Sequence, residues 1–217
     1  MNNQKLFRDT DGKVKEMLSI HQGYNFSENP FDFFIILARY KFASKILQDK
    51  KKIIDIGCGH GFGSAFLSSS IKNRLTAVDI DEDLVKYSRD THFKSNIEFK
   101  SFNLLEYDDS YIEKFDGICS MDVIEHFEYD KIDNVIKQYA NLLEKGGVAV
   151  IGTPNKNSNK YASQRRKDSH PFEFEYKDYK DKLSKSFSNV FVFSMTDEVV
   201  STSFPELSWY LMAVCIK

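Results

Sequence analysis

The feature that most constrains this chain is a short glycine-rich segment, "IIDIGCGHGFGSAFLS", at residues 53–68. In it an apolar run leads into four glycines at alternate positions, Gly57, Gly59, Gly61 and Gly63. A buried strand followed by a glycine loop and a helix is how α/β proteins bring a nucleotide-like ligand against the backbone. The segment therefore predicts a strand–loop–helix unit with a ligand site at the loop.

The composition of the chain limits which kinds of ligand and partner such a site can bind. With 217 residues, 41% of them hydrophobic, the chain is long enough for one domain with a substantial core. Its formal net charge of −2 gives no general attraction to nucleic acid or to an anionic membrane. The polar first residues predict no signal peptide, and the apolar runs are too short to predict a membrane span. Three widely spaced cysteines favour a reduced, cytoplasmic protein.

From residue 51 onward, short apolar runs alternate with polar stretches of helical spacing. The apolar runs fall at residues 51–57, 74–80, 96–102, 115–121 and 147–153. Strand–helix–strand units of this pitch predict an α/β fold with a parallel sheet. A helix is expected over residues 129–147, with Gly146 as its C-cap. Two later strand-like runs, 189–195 and 208–216, have no helix between them and predict an antiparallel hairpin that closes the sheet.

The beginning of the chain predicts a separate element. Residues 30–48 predict a strong helix with Pro30 at its start, and residues 1–29 are weakly patterned. We therefore expect an N-terminal helical lid or cap over residues 1–49, followed by the main domain over residues 50–217.

Several residues beside the glycines select among nucleotide ligands. A dinucleotide fingerprint needs a third glycine where this chain has Phe62, and no P-loop lysine follows. Asp55 stands just before the first glycine, where a carboxylate could meet a ligand ammonium group. Asp79 ends the second apolar run, where it could accept hydrogen bonds from ribose hydroxyls. Asn103 and Leu104 offer an amide and an apolar wall to an adenine edge. The alternative is a tight strand–helix turn without a ligand.

Taken together, these segments resemble the successive motifs of class I S-adenosylmethionine (SAM)-dependent methyltransferases. The resemblance covers about residues 50–155 and is carried by "DIGCGHGFGSAFLS", "LTAVDID", "NIEFKSFNLLEY", "FDGICSMDVIEHF" and "LLEKGGVAVIGTPN". It implies a Rossmann-like fold with a seven-stranded, mostly parallel sheet, an antiparallel last strand and helices on both faces.

The resemblance also implies which residues bind the cofactor SAM and its product S-adenosylhomocysteine (SAH). Asp55 and the first two glycines would hold the methionine part, Asp79 the ribose, and Asn103 and Leu104 the adenine. Many relatives carry aspartate at the position of Asn103, whose amide can still bond adenine. The full predicted set is Asp55, Gly57, Cys58, Gly59, Asp79, Ile80, Asn103, Leu104 and Met121.

The segment "SMDVIEHFEY", residues 120–129, is the candidate for catalysis. It follows the fourth predicted strand at the carboxyl edge of the sheet, where α/β ligands bind. We predict His126 as general base, with Glu125 as a second catalytic residue. The alternative is an Asp122–His126 surface pair, or an imidazole that shapes the pocket without moving a proton.

A divalent metal is a second interpretation of the same residues. Asp122, Glu125, His126 and the later His170 would supply two oxygen and two nitrogen ligands. The pattern resembles ubiquinone-pathway O-methyltransferases and small-RNA 2′-O-methyltransferases, which carry a carboxylate-x-x-Glu-His motif. The shorter aspartate at the first ligand position disfavours the site, so the metal-free interpretation is preferred.

The polar stretch at about residues 153–174 is predicted to be an insertion that forms one wall of the acceptor pocket. It is locally basic, and we predict Arg165, Arg166 and His170 as substrate contacts. Such a loop suits an anionic acceptor. A basic loop that is merely solvated is the alternative.

The sequence thus predicts a SAM-dependent methyltransferase that acts on a small molecule. The acceptor is predicted to be a hydroxyl of a sugar, a nucleotide-sugar or a related surface-polysaccharide precursor, because parts of the chain resemble small bacterial methyltransferases of that kind. One alternative is a metal-dependent RNA 2′-O-methyltransferase, although the chain shows no basic face for a nucleic-acid partner. Another is a non-catalytic SAM-binding partner subunit.

Overall fold

The computed structural model describes residues 30–91, 96–107 and 113–217. Its helices are α1 (Pro30–Ile46), α2 (Phe62–Ser70), α3 (Glu82–Thr91), α4 (Ile132–Leu142), α5 (Gln164–Ser169) and α6 (Tyr176–Leu183). Its strands are β1 (Lys52–Ile56), β2 (Arg74–Asp79), β3 (Ile97–Ser101), β4 (Phe115–Met121), β5 (Leu143–Pro154), β6 (Asn189–Met195), β7 (Val200–Ser201) and β8 (Tyr210–Ile216). Short 3-10 turns lie at Ile124–His126, Tyr129–Lys131, Lys156–Tyr161 and Pro205–Leu207.

The strands form one mixed sheet in the order β3-β2-β1-β4-β5-β8-β6-β7. The first five strands in this order are parallel to one another, whereas β8 runs antiparallel to both β5 and β6. The predicted α/β fold and its antiparallel last strand are therefore confirmed. The sheet has eight strands instead of seven, because the two-residue strand β7 pairs with the end of β6.

Helices cover both faces of the sheet, as expected for strands that are apolar on both sides. On one face, Leu47 and Leu67 from the α1 and α2 regions are fully buried against the sheet. On the other face, Tyr139 of α4 and Leu183 of α6 are fully buried. Full burial of such a side chain contributes about 1.5–3 kcal/mol, so these two layers hold the strand ends in a fixed arrangement.

Helix α1 packs on the same core as the sheet. Ala43 is fully buried, and the ring of Tyr40 lies so close to Gly63 of α2 that a Cβ at Gly63 would overlap it. The glycine at position 63 is thus explained by helix packing and not by a ligand. Residues 1–29 lie outside the described residues, so the lid or cap predicted for residues 1–49 stays a prediction.

The predicted C-cap of the fourth helix is wrong. Helix α4 ends at Leu142, and Gly146 lies inside β5 with a φ of 78°. Its N–H donates to the carbonyl of Lys217, at 3.1 Å, and the pairing of β4 with β5 is irregular between Phe115 and Gly117. Gly146 therefore permits an irregular start of a strand. Across the described ranges, no helix is long and apolar enough to cross a membrane.

Candidate functional site

A cavity of about 400 Å³ lies at the carboxyl ends of the first four parallel strands. This is the edge of the sheet where ligands of open α/β folds bind. Six of the nine residues predicted to bind the cofactor line it: Gly57, Gly59, Asp79, Ile80, Asn103 and Leu104. The wall is completed by residues that the sequence analysis did not single out, among them Phe102, Val123 and Phe127. We call this space the cofactor cavity.

The glycine loop is held to β2 by its own backbone. The N–H groups of Gly57 and Cys58 both donate to the carbonyl of Val78, at 2.8 and 3.0 Å. Gly57, Gly59 and Gly61 all have positive φ, at 76°, 51° and 75°. Left-handed backbone at three positions is accessible to glycine at little cost, so the loop conformation itself requires these residues.

The glycines differ in what surrounds them. A Cβ at Gly57 would overlap Cγ2 of Val123, whereas a Cβ at Gly59 would meet nothing within 4 Å. Gly59 therefore presents a bare backbone to open space in the cofactor cavity, and Gly57 allows the turn after β4 to pack against the loop. Of Gly57, Gly59 and Gly63, Gly59 is thus the one best placed to lie against a ligand.

Asp79 shapes the loop as well as lining the cavity. Its Oδ2 accepts a hydrogen bond from the N–H of Gly59 at 2.8 Å, and its Oδ1 accepts one from the N–H of Asp81 at 3.0 Å. Asn103 is held in a similar way, because its Oδ1 accepts from the N–H of Leu105 at 3.0 Å. That bond leaves the amide nitrogen of Asn103 as the group that can face a ligand.

Three of the predicted cofactor residues lie behind the cavity wall. Asp55 is fully buried, where Ser64 Oγ donates to its Oδ2 at 2.6 Å, and burial raises the pKa of Asp55 to about 6. Cys58 packs in a small apolar cluster beneath α3, and Met121 is buried at the end of β4. In this structure Asp55 is therefore a structural group beneath the loop, and its predicted contact with a ligand ammonium group stays a prediction.

A second cavity, of about 290 Å³, adjoins the first. It is lined by Ile35, Ile36, Arg39, Asp122, Pro154, Arg166, Trp209 and Tyr210. Asp122 lines both cavities, so the two spaces meet at this residue. We call the smaller space the acceptor cavity.

Arg39 is a site residue that the sequence analysis missed. Its Nη1 donates to Asp122 Oδ2 at 2.6 Å, and its guanidinium lies 3.6 Å from the ring centroid of Tyr210. Burial opposes the charged form of Arg39, but the carboxylate of Asp122 keeps the pKa of Arg39 above its usual value. The signal was present, since one arginine interrupts the apolar run "FFIILARYKF" of α1.

The predicted substrate contacts occupy different places. Arg166 lines the acceptor cavity, but its Nε and Nη2 donate to Glu173 at 2.7 and 3.0 Å. His170 Nδ1 lies 2.8 Å from the same carboxylate. Burial alone would raise the pKa of Glu173, but the hydrogen bonds from Arg166 and His170 lower it. Arg165 lies in α5, and its side chain is outside what the structure describes.

His126 lines the cofactor cavity from the 3-10 turn after β4. Its Nδ1 lies 2.9 Å from the carbonyl oxygen of Ser169, an atom that can only accept, so Nδ1 carries the proton in this contact. The other ring nitrogen, Nε2, is then free to accept a proton or bind a cation in the neutral ring. The predicted Asp122–His126 pair does not form, because Asp122 is bound to Arg39.

Glu125 is fully buried and lines neither cavity. Thr153 Oγ1 donates to its Oε2 at 3.1 Å, and Oε1 has no hydrogen-bond partner in the described part of the chain. Burial and the nearby charge of Asp122 raise the pKa of Glu125 well above its usual value. The predicted role of Glu125 in catalysis stays a prediction.

Three of the four alternative metal ligands come together. Candidate ligand atoms of Glu125, His126 and His170 lie within 4.8 Å of one another, and the two imidazole rings meet edge to face. The fourth, Asp122, is engaged by Arg39 instead. The set of two nitrogens and a buried carboxylate oxygen without a partner fits a divalent ion, although one carboxylate fewer is available than predicted.

Comparison with known proteins identifies related sequences. A model of the family described as "Methyltransferase domain" matches residues 32–189. The mitochondrial ubiquinone biosynthesis O-methyltransferase of Dictyostelium discoideum is 30% identical over 122 residues, which cover 51% of this chain and 37% of that protein. The chain spans about a third of the length of the first curated relatives that it matches.

Solved structures share the fold. The N-methyltransferase NodS of Bradyrhizobium japonicum, in complex with SAH, aligns with a TM-score of 0.68 at 18% identity, over 89% of this chain and 91% of that chain. The methyltransferase domain of a bacterial Hen1 protein aligns with a TM-score of 0.66 at 20% identity, over 84% of this chain and all of that domain. At these identities the likeness concerns the fold alone.

Proposed function

This chain belongs to the methyltransferase domain family and is a class I SAM-dependent methyltransferase, and we propose that it methylates a small anionic acceptor. The proposed acceptor group is a hydroxyl, carried by a sugar, a nucleotide-sugar or a related precursor of surface polysaccharide. The observation that carries the proposal is that the cofactor cavity and the acceptor cavity meet at Asp122. A methyl donor and an acceptor bound in the two spaces would face each other there. The cytoplasmic location predicted from the sequence stays part of this proposal.

SAM is proposed to bind along the carboxyl edge of the sheet. The methionine part would lie on the bare backbone at Gly59, next to Gly57, since a side chain at Gly59 would enter the open space. The ribose hydroxyls would reach Asp79, beside the exposed side chain of Ile80. The adenine would pack on Leu104 and bond the free amide of Asn103. In this arrangement the sulfur lies between the loop and Asp79, on the side of Asp122.

The acceptor is proposed to bind between α1, the segment after β5, and β8. Arg39 and Arg166 offer planar donors suited to a phosphate or carboxylate, and Trp209 offers a flat face on which a ring can pack. The name of the Dictyostelium relative, an O-methyltransferase, supports oxygen as the acceptor atom. Both arginines are already paired with carboxylates, so an anionic acceptor would share their donors with Asp122 and Glu173.

The proposed chemistry relies mainly on alignment. Methyl transfer needs the acceptor oxygen in line behind the carbon–sulfur bond, in a site that excludes water. As the oxygen–carbon bond forms, the electron pair of the carbon–sulfur bond returns to sulfur and SAH leaves. His126 Nε2 is proposed to take the hydroxyl proton, and the bond from Nδ1 to Ser169 holds the ring in the required tautomer.

A metal-assisted reaction is the second candidate, and the cluster of Glu125, His126 and His170 favours it. The buried Oε1 of Glu125, which has no hydrogen-bond partner in the described part of the chain, supports a cation at this place. A divalent ion held there would polarise the acceptor hydroxyl and lower its pKa. The acceptor in this variant would be the RNA 2′-hydroxyl that the sequence offers as an alternative. The absence of a basic face in the sequence argues against RNA.

One experiment separates these candidates. Release of SAH is measured with a panel of nucleotide-sugars, hydroxylated aromatic acids, phosphoethanolamine and total RNA, each with EDTA or with Mg²⁺ or Mn²⁺. The proposal expects turnover of a small anionic hydroxyl compound that survives EDTA, and a His126→Ala variant slower by about 10²–10⁴-fold. Loss of activity in EDTA, restored by metal and equally sensitive to His126→Ala and His170→Ala, would establish the metal-assisted reaction. SAM binding without turnover of any acceptor would favour a non-catalytic subunit.

A further inference from the structure

Asp122 has an unusual backbone for its residue type. Its φ of 56° is the only positive φ of a non-glycine residue in the described ranges. Aspartate reaches this conformation at a cost of about 1 kcal/mol, and such outliers gather at functional sites. The conformation turns the chain directly after β4, where the N–H of Asp122 donates to the carbonyl of Gly152 at 3.1 Å. It leaves a carboxylate that is 42% exposed at the junction of the two cavities.

Arg39 holds this carboxylate from one side. The arginine side chain is 10% exposed, lies over the rings of Tyr210 and Trp209, and makes its short ion pair with Asp122 Oδ2. Its neighbours Ile35 and Ile36 on α1, which line the same cavity, are apolar. A buried guanidinium is costly unless it is paired, so the pair with Asp122 is what permits it.

The charges around the junction are few. Glu125 is fully buried and lines neither cavity, and Arg166 is paired with Glu173. Asp79 also lines the cofactor cavity, but its carboxylate accepts from the N–H groups of Gly59 and Asp81 and is assigned to the ribose. Asp122 is the carboxylate at the junction of the two cavities, and Arg39 is the cation that offsets it. The cofactor itself changes charge at this point, because the sulfur of SAM is a positive sulfonium and the sulfur of SAH is neutral.

We propose that Asp122 faces the sulfonium of bound SAM and that Arg39, acting through Asp122, sets how strongly the site prefers SAM over SAH. This inference rests on the proposed placement of the cofactor. The partly neutralised carboxylate attracts the substrate form of the cofactor and has no such attraction for the product. Arg39 is then a positioning residue that keeps this preference moderate.

The expected size of the effect follows from Coulomb's law. A half-exposed carboxylate within a few ångströms of a sulfonium changes an affinity by about 3- to 20-fold once solvent and salt screen it. The same carboxylate should change SAH binding little. The ratio of the two dissociation constants therefore isolates the charge effect from any general damage to the site.

The test measures SAM and SAH binding by isothermal titration calorimetry at low and moderate salt. Asp122→Asn should lower the preference for SAM by about 3- to 20-fold, and asparagine tolerates the left-handed backbone, so the fold is kept. Arg39→Met should raise the preference by a similar factor. Arg39→Lys should show a preference for SAM over SAH that is near that of the wild type. In a protein that carries both Arg39→Met and Asp122→Asn, the preference should equal that of Asp122→Asn alone.

The control is Lys52→Met, which removes an exposed lysine paired with Glu113 at the far end of β1 and should leave the ratio unchanged. An unchanged SAM-to-SAH ratio in Asp122→Asn would overturn the inference. Equal weakening of both ligands by Arg39→Met would show that Arg39 is only structural. A wild type that binds neither SAM nor SAH would instead overturn the proposed function. An added EDTA series excludes an effect of metal captured by a freed Asp122.

Discussion

The two cavities are built in different ways. The cofactor cavity is made from the ends of neighbouring parallel strands, and all of its lining residues except His126 and Phe127 lie at the ends of those strands or within three residues after them. The acceptor cavity is assembled from α1, the ends of β4 and β5, α5 and the start of β8, which lie far apart along the chain. The first is therefore a property of the sheet, and the second depends on how peripheral elements pack on it.

The difference suggests that substitutions in the two regions should have separable effects. Changes at the glycine loop should lower the SAM affinity and the stability of the fold together, because the loop and the sheet are joined by hydrogen bonds such as those to Val78. Changes around Arg166 should act on the acceptor while SAM binding persists. The following predictions test that separation in order of decreasing effect.

Replacement of Gly57 by valine should have the largest effect. The new side chain would overlap Val123 and would require a left-handed backbone, which together cost about 2–5 kcal/mol of unfolding free energy. Urea unfolding should show this loss, and calorimetry should detect no SAM binding. Gly59→Ala is the matched comparison, since its Cβ meets open space. It should lose SAM affinity with a smaller loss of stability, and equal losses in the two variants would contradict the assignment of Gly59 to the ligand.

Replacement of Asp55 by asparagine should change how the free energy of unfolding depends on pH. The folded pKa of about 6 lies above the unfolded value of 3.8, so the folded state binds more protons between these values. The stability of the wild type should therefore fall as pH rises from about 4 to 7. The asparagine variant lacks this titration and should gain up to about 3 kcal/mol relative to wild type over that window. A constant difference across pH 4–7 would contradict the burial of Asp55. Weaker SAM binding at pH 7 would support its predicted ammonium contact.

Asp79→Ala should weaken SAM binding by about 1–3 kcal/mol, because it removes charge-assisted hydrogen bonds to the ligand and to Gly59. Asp81→Ala is the control, since Asp81 accepts from the N–H groups of Asp83 and Leu84 at the start of α3. That variant should lose about 1 kcal/mol of stability and keep its SAM affinity. Calorimetry measures the SAM affinity, and thermal unfolding measures the stability. Equal losses of SAM affinity in the two variants would show that Asp79→Ala acts by disturbing the loop and not by removing a contact with the ligand.

Arg166→Met should have the smallest effect on the cofactor. It removes both guanidinium hydrogen bonds to the buried Glu173, which keeps only its contacts with His170 and Asn159, so a stability loss of about 1–3 kcal/mol is expected. With the acceptor found in the panel, KM for that acceptor should rise several-fold and the dissociation constant of SAM should stay the same. A parallel loss of SAM affinity would mean that the two regions are one cooperative unit.

The comparison of the cavities also explains what the sequence could predict. Local pattern is enough to predict the strands and their order along the chain. The rule that parallel strands end at one edge of the sheet then places Gly59, Asp79 and Asn103 together. Arg39 and Trp209 depend on tertiary packing between elements that are about 170 residues apart, which periodicity does not encode. The burial of Glu125 could not be predicted either, because a carboxylate beside a histidine gives the same sequence pattern whether it faces a cavity or the core.

The most direct test is a crystal structure of the chain with SAH. The account predicts the ligand in the cofactor cavity, with its ribose hydroxyls on Asp79, its amino-acid part against Gly59 and its sulfur beside Asp122, open toward Arg166 and Trp209. Sulfur anomalous scattering would locate that atom independently of the surrounding density. A sulfur directed away from Asp122, or SAH bound outside the cavity at the glycine loop, would contradict the account.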